Sequence, residues 1–198
     1  MMKIPKYDEA FWSEKYQAGE TGWDLGRVSP PIKEYIDQLN DKSISILIPG
    51  AGNAYEAAYL FKQGFQNITV LDLAKKPLEN LKKRVPDFPG HQLVHENFFE
   101  HTGQYDLIIE QTFFCALDPS LRVDYIDKMK SLLKDNGKLV GLLFDFRLTD
   151  EGPPFGGSTD AYTIDFQKRF KLKTLAPCYN SIKPRLGREL FINFVKTN

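Results

Sequence analysis

The stretch that most constrains this chain covers residues 44–58. An apolar run, Ile44–Ile48, leads through Pro49 into Gly50-Ala51-Gly52, and an alanine-rich helical pattern follows at once. This order predicts a strand, a tight loop and a helix. A Cβ at either glycine would hold the backbone away from a ligand or forbid a positive φ angle. Residues 53–55 lack the third glycine of the dinucleotide fingerprint. The loop therefore predicts a nucleotide cradle for a cofactor that needs only close backbone approach.

An acidic residue strengthens this interpretation. Asp72 ends the next apolar run, Ile68–Leu71, and lies 22 residues after Gly50. An acid about 20 residues beyond the first glycine, at the tip of the second strand, is placed to accept both hydroxyls of a ribose. A Gly-x-Gly pair alone occurs in many turns. The strand, the helix and the acid together favour a cofactor that contains ribose.

The size and charge of the chain exclude several classes. Its 198 residues predict one domain, residues 1–198. Lys and Arg total 26 and balance 26 Asp and Glu, so nucleic acid or an anionic membrane is not expected as a partner. No apolar stretch approaches 18 residues, and the N-terminus lacks the apolar core of a signal peptide, so we expect a cytoplasmic protein. Cys115 and Cys178 lie in apolar settings and are predicted to be buried thiols.

Beyond the glycine loop, helix and strand patterns alternate. Helices are predicted at 53–63, 75–85 and 119–133, and strands at 67–71, 92–96, 105–110 and 138–145. His91 and His95 would share a face of the third strand, but no third ligand is near, so no metal is expected. The alternation predicts an α/β fold of three layers, Rossmann-like, with a mostly parallel sheet.

The C-terminal part departs from a plain dinucleotide-binding domain. A Pro/Gly-rich segment at 150–158 follows the fifth strand, and loops of that length are usually functional or mobile. A predicted helix at 162–170 precedes two strand patterns, 171–179 and 188–196, which predict a closing hairpin. Such a hairpin inserts an antiparallel strand into the sheet, which is common in methyltransferases and unusual in dehydrogenases.

Residues 1–31 form a predicted N-terminal arm that holds both tryptophans, Trp12 and Trp23. Trp12 and Tyr16 are four residues apart on one face of a short helical pattern, and residues 19–26 form a loop punctuated by glycines. The indoles either anchor the arm to the core or cover a cationic or planar ligand through cation–π and stacking contacts. Pro30 and Pro31 then introduce a predicted helix at 32–39.

Several sequence blocks together resemble the thiopurine S-methyltransferase superfamily, and within it the thiol/halide methyltransferases. The blocks are Trp12 to Tyr16 with Gly22–Gly26, Ile48–Gly52, Asn97–Phe99, Phe113–Leu117 and Gly152–Phe155. The Phe-Phe-Cys-Ala and Gly-Pro-Pro-aromatic blocks are specific, whereas every class I methyltransferase shares the glycine loop. The resemblance spans about Trp12 to Phe194. It implies a class I methyltransferase sheet with a C-terminal hairpin.

The resemblance also implies S-adenosylmethionine (SAM) as the cofactor. Its positions assign aromatic cover to Trp12, Tyr16 and Trp23, the loop beneath the methionine part to Gly50 and Gly52, ribose binding to Asp72, and the adenine border to Asn97 and Phe98. Gln111 stands where halide-type members have tyrosine and thiopurine-type members have arginine. Tyr16 replaces a tryptophan of the halide-type members. Ile48 stands where most class I methyltransferases carry an acid, a change that is common in this family.

Methyl transfer from a sulfonium to a soft nucleophile is an in-line displacement. It needs alignment and desolvation rather than a proton relay, and the sequence has neither a nucleophile elbow nor a zinc motif. Phe114 and Phe155 are expected as apolar walls of the substrate pocket, and residues 147–162 as its loop. Arg147 and Arg185 would raise the thiolate fraction of a thiol, whose ordinary pKa is about 8.5. Tyr162 is a further candidate. For the arginines and Tyr162, an ordinary surface or core position is the alternative.

Three other interpretations stay open from the residues. An NAD-dependent oxidoreductase would share the loop, but 198 residues leave little for a substrate domain. A methyltransferase-like protein could bind SAM without turnover and act as an interaction module. A nucleic-acid methyltransferase would show an Asn/Asp-Pro-Pro-aromatic motif after strand four and a basic face, whereas Pro153-Pro154-Phe155 follows Gly152 and strand five. The nucleophile (halide, hydrosulfide, organic or heteroaromatic thiol) and the oligomeric state are not determined by the sequence.

Overall fold

The structure is a computed structural model and describes residues 7–197. Its α-helices are α1 (Glu9–Ala18), α2 (Pro30–Asp37), α3 (Tyr55–Lys62), α4 (Lys75–Arg84), α5 (Arg122–Leu132) and α6 (Thr159–Phe166). Its strands are β1 (Ile46–Pro49), β2 (Ile68–Asp72), β3 (Leu93–His95), β4 (Tyr105–Gln111), β5 (Leu133–Phe144), β6 (Phe170–Pro177) and β7 (Glu189–Lys196). The part of the predicted arm before Tyr7 lies outside the described residues.

The strands form one sheet in the order β3-β2-β1-β4-β5-β7-β6. Strands β1 to β5 pair in parallel, whereas β7 pairs antiparallel to both β5 and β6. The predicted hairpin is thus confirmed, with β7 inserted beside β5. The order reverses between β1 and β4, and ligands of open α/β sheets bind at such a point, beyond the carboxyl ends of the strands. The topology therefore places a crevice next to the glycine loop.

Each face of the sheet is covered by helices, as the three-layer prediction requires. On one face, α2, α3 and α4 bury apolar side chains such as Ile36, Leu60 and Leu81 against β1 and β2. On the other, α5 and α6 bury Met129 and Phe166 in a second cluster that is rich in aromatic rings. All five of these side chains are fully buried. Because both faces of the sheet are buried, the sequences of its parallel strands are continuous apolar runs.

Two local predictions are wrong. The helix expected at 162–170 begins earlier, at Thr159, because the Ser158 side chain accepts a hydrogen bond from the Ala161 N–H at 3.3 Å and caps it. Phe170 already belongs to β6. His91 does not share a strand face with His95, because it lies in a 3₁₀ turn, Gly90–Gln92, before β3. Within residues 7–197, no group of three metal-ligating side chains occurs. None of the helices in that range is long and apolar enough to span a bilayer.

Candidate functional site

A cleft of about 1040 Å³ opens where β1, β2 and β4 end, between the glycine loop and the N-terminal arm. The residues predicted to contact the cofactor all line it: Trp12, Tyr16, Trp23, Gly50, Gly52, Asp72, Asn97, Phe98 and Gln111. The sheet topology brings these positions together, because the ends of neighbouring parallel strands share one edge. The cleft is large enough for a cofactor of nucleoside size and a small substrate together.

The glycine loop has the backbone that its sequence predicts. Gly50 has φ +56° and Gly52 has φ +53°. A Cβ at Gly50 would lie 2.2 Å from Cδ2 of Phe113, so the bare glycine allows that ring to pack on the loop. A Cβ at Gly52 would lie 3.3 Å from the Tyr16 hydroxyl. Because neither glycine has a side chain, the backbone of the loop is accessible from the cleft.

Asp72 ends β2 at the floor of the cleft and is only 7% exposed. Its Oδ2 accepts the Gly52 N–H at 2.9 Å and its Oδ1 accepts the Ala74 N–H at 2.8 Å. Burial raises the pKa of this carboxyl to about 6, and the two N–H donors oppose that rise. Each oxygen keeps a lone pair beyond these bonds. The carboxylate is thus fixed in place and still able to accept hydroxyl donors from a ligand.

The N-terminal arm forms the aromatic side of the cleft. The rings of Trp12 and Trp23 meet edge to face at 5.4 Å, and those of Tyr16 and Trp23 at 5.6 Å. The Arg185 guanidinium donates to the Trp23 carbonyl at 2.8 Å, and Asn53 of the glycine loop donates to Asp24. The two indoles therefore pack on each other and line the cleft. The arm is anchored to the rest of the chain and also covers the cleft.

The turn after β4 carries a residue that the sequence reasoning missed. Glu110 is fully buried, and its Oε1 accepts the N–H groups of Phe113 and Phe114 at 2.8 and 3.0 Å. Its Oε2 accepts the Tyr125 hydroxyl at 2.5 Å. Burial raises the pKa of Glu110 to about 7. The available signal was an acid that directly follows the apolar run Leu107–Ile109 and precedes Gln111.

On the substrate side, only one of the five predicted residues lines the cleft. Arg185 does so, with its guanidinium 3.4 Å from the Glu189 carboxylate and 5.5 Å from the centre of the Phe144 ring. The structure corrects the position of Arg147, which is exposed and outside the lining. It follows Phe146, which is held at the base of the loop by a bridge to Gly157, so Arg147 lies on the solvent side.

The three predicted aromatic residues of the substrate side lie behind the cleft wall. Phe114 is 1% exposed and packs on Tyr125 at 4.9 Å. Tyr162 is fully buried and donates its hydroxyl to the Phe144 carbonyl at 2.7 Å. Phe155 is buried too, because its N–H donates to the Cys115 carbonyl at 2.8 Å and draws the loop inward. The prediction of these rings as pocket walls is therefore corrected: they support the wall from inside the core.

Other residues form that wall instead. Cys115, Pro153 and Pro154 line the cleft, as Arg185 does. Burial raises the pKa of the Cys115 thiol, which keeps it neutral and unreactive at ordinary pH. Both motif blocks, Phe113–Leu117 and Gly152–Phe155, contribute residues to the lining of the cleft. Periodicity alone could not tell which ring of each block points to the cleft.

The residues of the cleft fit SAM on their own chemistry. Asp72 offers fixed acceptors, Gly50 and Gly52 leave room beside the backbone, and the indoles of the arm offer π faces to a cation. Gln111 adds a buried Oε1 that has no hydrogen-bond partner among residues 7–197, and a buried acceptor without a partner calls for a donor from a ligand.

Fold and site together define a SAM-dependent class I methyltransferase. The sequence profile of the family described as "Thiopurine S-methyltransferase (TPMT)" matches residues 7–189. The chain belongs to this family.

Similar proteins carry names that agree with this assignment. The chain is similar to "Probable thiol methyltransferase 2" of Arabidopsis thaliana, with 31% identity over 184 residues that cover 90% of this chain and 81% of that protein. "Thiocyanate methyltransferase 1" of Brassica oleracea is 26% identical over 197 residues, with 96% and 87% covered. "Thiopurine S-methyltransferase" of Vibrio cholerae is 25% identical over 165 residues, with 75% and 76% covered.

Solved structures show the same fold at low identity. A Burkholderia thailandensis 1,6-didemethyltoxoflavin-N1-methyltransferase, solved with bound 1,6-didemethyltoxoflavin and S-adenosylhomocysteine (SAH), superposes with a TM-score of 0.77 at 17% identity, covering 96% of this chain and 87% of that chain. A TehB-like SAM-dependent methyltransferase from Corynebacterium glutamicum superposes with a TM-score of 0.66 at 16% identity, covering 96% and 98%.

Proposed function

We propose that this enzyme transfers the methyl group of SAM to a small soft nucleophile, which is a thiol, hydrosulfide or halide, by in-line displacement. The observation that carries this proposal is that the cleft combines an apolar wall, Cys115, Pro153 and Pro154, with the guanidinium of Arg185, which keeps N–H donors beyond its ion pair with Glu189. An anionic soft nucleophile matches this combination of an apolar wall and guanidinium donors. The names of the relatives, which include thiol and thiocyanate methyltransferases, support the same substrate class.

The residues of the chain have distinct roles in this proposal. Asp72 holds the ribose, Asn97 and Phe98 border the adenine, and Gly50 and Gly52 admit the methionine part. When bound, SAM supplies an electrophilic methyl group on a sulfonium. The chain itself has to align the two reactants and exclude water, because a thiolate or halide needs no base once it is ionised.

Arg185 is the residue that would select an anion. Two of its contacts, to the Trp23 carbonyl and to Glu189, fix the guanidinium in place. A guanidinium carries five N–H donors, so donors remain for a ligand. A fixed cation beside the nucleophile stabilises thiolate over thiol and thereby raises the reactive fraction at neutral pH. Arg185 thus acts on the ionisation and position of the substrate rather than as a proton acceptor.

A product assay tests the proposal. The purified protein is incubated with SAM and, in separate vessels, iodide, thiocyanate, hydrosulfide, a small organic thiol and a heteroaromatic thiol. Volatile methyl products are measured in the headspace and methylated aromatic thiols in solution. We expect SAM-dependent product with at least one of these nucleophiles and none with Asp72→Ala. Tight SAH binding without product from any nucleophile would instead support a SAM-binding protein without turnover.

The substrate is a small molecule, and its finer identity depends on that panel. The expected cytoplasmic location, and the expected lack of nucleic-acid or membrane partners, stay predictions from the sequence.

A further inference from the structure

One buried carboxylate, that of Glu110, has no role in the cofactor and substrate contacts proposed above. The carboxylate of Glu110 is fully buried at the end of β4, and its acceptors are satisfied by neutral donors only, the N–H groups of Phe113 and Phe114 and the hydroxyl of Tyr125. No Lys, Arg or His among residues 7–197 forms an ion pair with it. Buried charges in proteins are ordinarily paired.

The carboxylate lies directly behind the cleft. It is bonded to the backbone of Phe113, whose ring lines the cleft and covers Gly50 of the glycine loop. The residues that follow it in the chain, Gln111 and Thr112, line the cleft as well. A residue bonded to the carboxylate and the residues that follow Glu110 in the chain therefore line the cleft, which places the negative charge behind the cleft wall. The field of a charge in such a dry surrounding is weakly screened.

The surroundings of Glu110 contain titratable groups, but these are neutral at ordinary pH. Tyr125 of α5 touches the carboxylate, and Cys115 of the following turn and Tyr162 of α6 feel its charge. None of the three can be a counter-charge, because Tyr and Cys are either neutral or negative, and burial raises the pKa of all three, which keeps them neutral. On the neighbouring strand β5, Glu110 pairs with Gly141, which has no side chain. A Cβ added there would lie 2.0 Å from the Glu110 backbone oxygen.

We propose that Glu110 is the counter-charge for the positively charged methyl donor: its buried carboxylate, unpaired within the protein, attracts the sulfonium of SAM and has no such attraction for SAH. SAM and SAH share every group except the methyl and the charge that it creates at sulfur. A fixed negative charge near that atom therefore favours binding of the donor and release of the neutral product. This proposal rests on the SAM site proposed above and adds to it a reason for discrimination between donor and product.

The test compares affinities rather than activity. Calorimetry measures Kd for SAM and for SAH in the wild type and in Glu110→Gln at pH 7.5. Glutamine keeps the contacts, because its Oε1 can accept both N–H groups and its Nε2 can donate to the Tyr125 oxygen. We expect SAM to bind about tenfold more weakly to the variant, the size expected for one charge acting across a protein layer at an effective dielectric constant of about 20. The affinity for SAH should change less than twofold.

The matched control is Asp106→Asn. It removes a carboxylate from the same strand, at the opposite end, where Asp106 bonds to Ser45 and Lys134. This variant should keep the wild-type ratio of SAH to SAM dissociation constants. An unchanged ratio in folded Glu110→Gln would overturn the proposal, and so would an equal loss of both affinities.

A second measurement needs no variant and serves if Glu110→Gln does not fold. In the wild type, the preference for SAM over SAH should fall as pH is lowered from 7.5 to 5.5, because protonation of Glu110, whose pKa burial raises to about 7, removes the charge. Asp72 and Glu56 line the cleft, burial raises their pKa values as well, and their charges also act on the sulfonium. The titration of Glu110 itself is therefore followed by the ¹³C signal of its side-chain carboxyl, and its pKa should be lower with SAM bound than with SAH bound. Equal pKa values of Glu110 with the two ligands would overturn the proposal. Failure of the wild type to bind either ligand would overturn the SAM site itself.

Discussion

Removal of the Asp72 carboxylate gives the most direct test of the cofactor site. In Asp72→Ala the ribose loses two hydrogen bonds to a charged acceptor, each with a net contribution of about 1.5–3 kcal/mol. The sum of about 3–6 kcal/mol corresponds to a rise in Kd of roughly two to four powers of ten. The loss also frees the Gly52 and Ala74 N–H groups that the carboxylate holds at 2.9 and 2.8 Å. We therefore expect the upper part of this range.

Titration calorimetry with SAH at pH 8, where Asp72 is ionised, measures the effect. Asp127→Ala is the control, because it removes a carboxylate whose partner is Arg169 on the surface and should leave Kd unchanged. Asp72→Asn tests the mechanism further: an amide presents one oxygen and one NH₂ group, so one of the two backbone N–H donors would face a donor and the loop would loosen. Wild-type SAH affinity in an Asp72→Ala protein with a native circular dichroism spectrum would refute the site assignment.

Three further predictions concern the walls of the cleft. Trp23→Ala should weaken SAM by about tenfold in calorimetry, because it removes the ring on which Trp12 packs; unchanged binding would show that the arm only anchors. Gly50→Ala should abolish SAH binding in the same assay, since its Cβ would lie 2.2 Å from the Phe113 ring at a backbone φ of +56°. In methyl-transfer kinetics, Arg185→Gln should raise KM for an anionic nucleophile about tenfold, a larger effect than any loss of SAM affinity through the missing bond to the Trp23 carbonyl. Arg147→Gln, at an exposed position outside the cleft, should have no effect; equal effects of the two would remove Arg185 from the substrate side.

The cofactor half of the site was predictable because it depends on chain order. A glycine loop after the first strand and an acid after the second fix Gly50, Gly52 and Asp72 at one edge of any parallel sheet. Aromatic residues of the arm were harder to assign from spacing alone. The family resemblance placed Trp12 and Trp23 over the cofactor, and they line the cleft.

The substrate half was not predictable residue by residue. Of two neighbouring rings in one motif, Phe113 lines the cleft and Phe114 lies in the core, although both pack on Tyr125. Which of the two reaches the cleft depends on where the turn is held. Glu110 holds it by binding both N–H groups. The same problem applies to Phe155, which the backbone bond to Cys115 draws into the core. Side-chain direction in irregular segments follows from tertiary hydrogen bonds, which local patterns do not encode.

The buried state of Glu110 also predicts how stability depends on pH. Its pKa of about 7 in the folded protein exceeds the ordinary value of 4.5 by about 2.5, which corresponds to about 3 kcal/mol. Because the folded pKa is the higher one, this contribution is fully present below pH 4.5 and is lost as pH rises through 7. Glu110→Gln carries no such charge. In urea unfolding, the variant should therefore gain about 3 kcal/mol relative to the wild type between pH 4.5 and pH 8. Asp72 is present in both proteins, and its own titration cancels in the difference. Parallel stability curves for the two proteins would show that burial does not raise the Glu110 pKa. A gain of the variant that keeps growing steeply above pH 8 would show that Glu110 stays neutral in the folded state, and a neutral side chain could not act as the counter-charge for a sulfonium.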